Sequence, residues 1–287
     1  MITRSGLRSV VASGLLDRVR YEVIPTASIE ESVCAHVPKE VTVTVTASPT
    51  KGLDATLNLA EALARDGYHV VPHISARLIV DDQHLDEIIA RSLAAGIDDV
   101  FIPAGDADTP AGRFEGSLQV LELLAERERP WRRVGITGYP ESHPRIGDDL
   151  TIQAMWDKRQ FADYIVSNLC LDPVVLRDWI RRVRERGVTL PIYVGLAGPV
   201  DRTTLLSMAA KIGVGESTRF ASRHLGWVAR MSAPGGYHPE RLLERAGGAL
   251  ADPASAVSGL HVFTFNQVRE TEAWRQSVLG RAGARSA

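Results

Sequence analysis

Eight apolar, β-branched runs in series, helix-period segments between most neighbours, and no glycine-rich dinucleotide fingerprint opening any of those helices predict an α/β fold of the (β/α)8 barrel type. The runs are RYEVI (20–24), VTVTV (41–45), HVVPHI (69–74), DVFIPA (99–104), RVGITGY (133–139), DYIVSNLC (163–170), PIYVGLA (191–197) and HVFTFN (261–266). Between them lie TLNLAEALARDG, LDEIIARSLAAG, SLQVLELLAERE and VVLRDWIRRVRERG, several closed by a C-terminal glycine. A strand and helix in each ~25–30 residues calls for parallel strands with right-handed crossovers, and a count of eight closes a barrel. A doubly wound open sheet is the rival. The expected organisation is one domain over 1–287, with 1–18 an N-terminal extension and 280–287 a frayed tail. The interval 198–260 exceeds one crossover helix and reads as two or three, with APGGYHP as a loop between them.

Composition narrows the function classes. Hydrophobic residues make up 45% and charged residues 24% of the 287, enough for a sizeable core. A formal net charge of -2 supplies no global field for nucleic acid or an anionic membrane. Cys34 and Cys170 match no metal or redox spacing and suit a reducing compartment, so the cytoplasm is the expected location. No run approaches the ~18 apolar residues of a membrane span.

Barrel chemistry sits at the carboxyl ends of the strands, where the following loops converge. Polar residues fall there repeatedly: Glu22 on strand one, Thr44 on strand two, His73 ending strand three and Asp106 beyond strand four. Tyr139 ends strand five, with Glu141 and His143 just after, Asn168 falls late in strand six and Asn266 closes strand eight. Each has a plainer alternative: His73 as a core histidine, Asp106 as a helix cap, Tyr139 and Asn168 as packing residues. Lysine occurs only at 39, 51, 158 and 211, on no strand, which disfavours a Schiff-base enzyme. His73 and His143 lack an HxH or HxxE partner, so no metal is expected. A proton-handling site is what the residue types leave.

Several of these stretches together resemble the methylenetetrahydrofolate reductase family over roughly residues 20–279. YEVIPT looks like the family's first strand with its glutamate, and PHIS like its PHLT. The pair Gly105-Asp106 looks like its RGD, GYPESHP like its AYPEVHP, DYIVSNLCLD like the stretch ending in TQFFFD, and VFTFN like its FYTLN. The resemblance implies a cytoplasmic oxidoreductase of one-carbon metabolism and methionine biosynthesis, reducing 5,10-methylenetetrahydrofolate with NADH or NADPH. Glu22 would be the acid that protonates the folate as its five-membered ring opens, and Asp106 would hold the pterin and offset the iminium charge. Asn168, in place of the family's glutamine, would bind the pterin. Thr44, His73, Gly105, Tyr139, His143 and Lys158 fall at flavin-holding positions. A glutamate in a mostly apolar mouth has its charged form disfavoured, which suits an acid.

The sequence also departs from the family. Ala104 stands where the family has an arginine, Asn168 is one methylene shorter than glutamine, and AGPVDRTT lacks the aromatic that the family stacks on nicotinamide. These departures point to FAD held weakly or not at all, with hydride passing directly from nicotinamide to folate. The alternatives are an ordinary FAD-dependent reductase, a folate-binding barrel without catalysis, and an unrelated barrel isomerase or lyase.

Overall fold

A computed structural model describes residues 5–141, 148–200 and 238–283. Its strands are β1 (Val19–Val23), β2 (Thr42–Val45), β3 (Val70–Pro72), β4 (Asp99–Phe101), β5 (Arg133–Gly138), β6 (Tyr164–Ser167), β7 (Ile192–Ala197) and β8 (Val257–Phe263). All ladder pairs are parallel, in the order β3-β2-β1-β8-β7-β6-β5-β4. The two ends of that order meet as well. His73 bridges Phe101, Ile74 N–H donates to the Phe101 carbonyl at 2.8 Å, and Ala76 N–H donates to the Pro103 carbonyl at 3.0 Å. The sheet therefore closes into the expected barrel, fastened beyond the formal ends of its two shortest strands.

The helices are α1 (Ser5–Ala12), α2 (Ile29–His36), α3 (Gly52–Arg65), α4 (Asp82–Ala94), α5 (Ser117–Glu126), α6 (Asp148–Lys158), α7 (Pro173–Glu185), α8 (Pro239–Leu250) and α9 (Val268–Gly283). Local chemistry fixes several starts. Asp81 accepts from His84 N–H at 2.8 Å to cap α4, and Asp172 accepts from Val174 N–H at 2.8 Å to cap α7, with Pro173 in the first turn. On α7 the spacing of Leu176, Trp179, Ile180 and Val183 makes one buried stripe.

Alternation along each strand splits the hydrophobic residues between two sides. Tyr21, Val23, Val43, Val45, Ile136, Ile165, Val194 and Val262 pack outward with the helices in the main core. Val71, Phe101, Tyr164 and Val166, with Tyr193, form a separate cluster within the barrel. Below them the barrel is plugged by charge. Asp99, fully buried, accepts from Arg20 at 3.1 Å and from the Tyr164 hydroxyl at 2.6 Å, while Arg133 stands 3.5 Å away. The Arg20 guanidinium lies 3.9 Å from the Tyr193 ring centroid and 4.4 Å from that of Tyr164. A buried carboxylate survives only with such partners.

The N-terminal extension is part of this architecture. Helix α1 lies against α8 so closely that a Cβ on Gly6 would sit 2.1 Å from the Glu244 carbonyl, and one on Gly247 2.1 Å from the Gly6 carbonyl. At the other end α9 continues to Gly283, into the first residues of the expected tail, and 284–287 lie outside the described residues. Of the interval 198–260, residues 201–237 lie outside the described residues; α8 supplies one of the helices expected there. Among the described residues no helix is long and apolar enough to cross a membrane.

Candidate active site

Inward parity and register build the site. Glu22 pairs with Thr44 on one side and Phe263 on the other, and Arg20 two residues earlier pairs with Thr42 and His261. Glu22 thus points into the barrel one layer above the Arg20 plug. Its backbone is clamped from β8: the Thr264 hydroxyl donates to the Glu22 carbonyl at 2.6 Å. Asn266 fastens the chain two residues on, accepting from Ile24 N–H at 2.8 Å and donating to the Ile24 carbonyl at 2.9 Å. Asn266 is therefore occupied by the scaffold.

The surroundings of Glu22 are not the mostly apolar mouth expected of them. His261 Nε2 lies 3.1 Å from Glu22 Oε2, and His73 Nδ1 lies 4.0 Å from the same oxygen. The two imidazoles stack with centroids 6.1 Å apart; His73 meets the Phe101 ring edge-on at 4.8 Å and His261 meets Phe263 at 4.9 Å. Both histidines are almost completely buried, whereas the Glu22 side chain keeps 15% of its surface open. Burial pulls the His73 imidazole down to about 4, so it is neutral near pH 7. The Thr44 hydroxyl is buried and finds no hydrogen-bond partner among the described residues, nor do His73 Nε2 and His261 Nδ1.

Folding gathers a carboxylate and two imidazoles that no short motif announced, with donor atoms within 4.8 Å of one another. A metal-bound imidazole ordinarily anchors its far nitrogen on a carboxylate or carbonyl; among the described residues His73 Nε2 and His261 Nδ1 have no such anchor. Hydrogen-bond contact between Glu22 and His261 is instead the geometry of proton handling.

At the rim stands the Gly105-Asp106 turn. Gly105 has φ of 96°, and a Cβ there would fall 1.8 Å from Ser75 Oγ, so the turn requires glycine. Arg77 fixes the following loop by donating to the carbonyls of Ala107 (2.7 Å), Asp108 (2.8 Å) and Glu115 (3.0 Å). Asp106 itself is exposed, so it bears no large desolvation cost. It stands near Tyr139, whose phenol is pushed up to about 12 by burial and then by the Asp106 charge. Tyr139 is therefore a protonated donor at neutral pH.

Asn168 lies at the β6 rim, its N–H donating to the Gly138 carbonyl at 2.7 Å. Its side-chain Oδ1 is taken by Leu169 N–H at 2.8 Å, while its amide NH2 has no hydrogen-bond partner among the described residues. Glu141 spans to the next loop, where its Oε1 accepts from Leu171 N–H at 2.7 Å. His143 lies outside the described residues. Lys158 is not brought to this group. It occupies the last turn of α6, and since barrel helices run antiparallel to their strands, that end lies toward the opposite face. Burial pulls its ammonium down.

Glu22, Thr44 and His73 thus share the chamber, while Gly105, Asp106, Tyr139 and Asn168 share the rim above it. Sequence reasoning missed His261, Arg77 and the Arg20–Asp99 plug. A signal for His261 existed: it lies two residues before Phe263, on the inward parity of β8.

Comparison with known proteins bears on this arrangement. A protein of assumed lyase/mutase type from Burkholderia cenocepacia has a crystal structure that aligns over 96% of this chain and 85% of its own, at 16% identity and a TM-score of 0.49. The barrel assignment rests on strand order instead. Methylenetetrahydrofolate reductase 2 of Saccharomyces cerevisiae is 21% identical over 150 residues, covering 48% of this chain and only 25% of the yeast protein. The family model described as methylenetetrahydrofolate reductase matches residues 26–215, which leaves Glu22 just before the matched span and His261 well beyond it. That match takes in more than half of the chain, and the chain belongs to the methylenetetrahydrofolate reductase family.

Proposed function

We propose that this protein reduces 5,10-methylenetetrahydrofolate to 5-methyltetrahydrofolate, with hydride taken directly from NADH or NADPH. The single observation that carries the reading is Glu22, held inside the carboxyl end of the barrel with one oxygen bonded to His261 and the side chain partly open. Protonation of the bridging folate nitrogen N10 by Glu22 lets the carbon–N10 bond break, its electron pair going to nitrogen. N5 then shares its lone pair with the freed methylene as an iminium. Hydride adds to that carbon, and Glu22, now a carboxylate, is reprotonated from solvent. Asp106 at the rim offsets the transient cation, and the free amide of Asn168 and the phenol of Tyr139 supply donors to the pterin.

The residues at the family's flavin positions do not fit a tightly held flavin. Thr44 and His73 are buried in the chamber wall, Ala104 replaces the arginine, Lys158 stands toward the far face, and the Arg77 guanidinium is committed to three carbonyls. Calorimetry with 5-methyltetrahydrofolate, then an NADH or NADPH consumption assay with 5,10-methylenetetrahydrofolate and an absorbance spectrum, tests the reading. Folate binding and nicotinamide oxidation without flavin bands are expected. Failure to bind folate contradicts the substrate, and stoichiometric FAD contradicts direct transfer.

A further inference from the structure

Both imidazoles of the chamber approach the same oxygen of Glu22, Oε2, with His261 at 3.1 Å and His73 at 4.0 Å. Only His261 is within hydrogen-bond reach. Oε1 is left as the oxygen for a proton bound for substrate. The His261 ring has little freedom: it is 1% exposed, its strand is paired to Arg20 on β1 and to Gly195 on β7, and Phe263 and His73 contact it.

We propose that His261 is a positioning residue which, with its ring proton on Nε2, holds Glu22 through Oε2 so that Oε1 delivers the proton, and stabilises the carboxylate left behind. A hydrogen bond to an ionised acceptor is about twice as strong as one to a neutral acceptor. The His261 contact therefore tightens as Glu22 loses its proton, and an interaction stronger after transfer than before accelerates the transfer. His73, neutral and 4.0 Å away, does not substitute without moving. The inference rests on the reductase reading.

The test compares His261→Leu and His261→Gln with wild type in kcat, KM for 5,10-methylenetetrahydrofolate, melting temperature and the solvent deuterium isotope effect on kcat. Leucine is expected to lower kcat by about tenfold or more with KM within about twofold, and to enlarge the isotope effect. Glutamine, which restores a donor, is expected to recover most of the rate. Should the leucine variant not fold, His261→Asn, polar but shorter, takes its place with the same expectations. A leucine variant within twofold of wild-type kcat overturns the proposal alone, as does a glutamine variant no faster than leucine with an unchanged isotope effect. A wild-type protein that binds the folate without turning it over overturns the reductase reading and this proposal with it.

Discussion

Glu22 is fixed from both ends: Thr264 holds its backbone carbonyl, Asn266 holds the backbone of Ile24 two residues on, and His261 holds one carboxyl oxygen. A proton donor so constrained has lost in advance the rotamer freedom that a free glutamate would give up on reaching substrate. Asn168 plays the complementary part, with Oδ1 committed to Leu169 N–H and the NH2 without a hydrogen-bond partner among the described residues. Asn168→Leu is expected to raise the folate KM by about tenfold with a smaller effect on kcat, measured by steady-state kinetics. Glu22 was legible in the sequence because a charge between Tyr21 and Val23, two residues above another inward position, belongs to an interior. His261 was not, because its nearest functional partner is 239 residues away and only register reveals the pairing. Lys158 rested on the helix MWDKRQF, which aligns poorly with the family, and its place at the end of α6 turns it from the mouth.

At the scale of elements, the decisive piece is the turn from β4 to α5. Arg77, on the short turn at Ala76–Leu78 after β3, reaches across to three carbonyls of that connection, and its own N–H donates to the Ala104 carbonyl at 2.9 Å. The chain thus fastens the loop carrying Asp106 with an arginine from the neighbouring strand's end. Gly105→Ala adds both a left-handed backbone penalty and a collision with Ser75, for a destabilisation on the order of 1–3 kcal/mol. A raised folate KM and a lowered melting temperature together are the expected outcome, and a variant indistinguishable from wild type would refute the turn's assigned role. Strand existence was readable throughout from β-branched alternation. Strand ends were less so: β3 and β4 are only three residues each, because their continuation becomes the bridge and loops that close the barrel. β8 begins at Val257, before the run that suggested it, since SGL carries no β signal of its own and is recruited by pairing with β7 and β1.

Across the whole molecule, the barrel separates a paired charge layer below from a proton-handling chamber above, so the chamber faces the carboxyl end. This organisation carries a pH dependence. The unfolded His73 takes up a proton around 6.5 and the folded one only at about 4, because burial disfavours its charge. Between those values the unfolded chain holds more protons, so stability falls as pH falls from 6.5 toward 4, by about 3 kcal/mol at most. Urea midpoints at pH 7 and 4.5 should show that loss, and His73→Asn should reduce it; an identical pH slope in the variant would contradict the assignment. The most direct measurement on the site is single-turnover and steady-state reduction of 5,10-methylenetetrahydrofolate by Glu22→Gln. A fall in turnover on the order of 10² or more with folate binding largely intact is the predicted result, and turnover equal to wild type would contradict Glu22 as the proton donor.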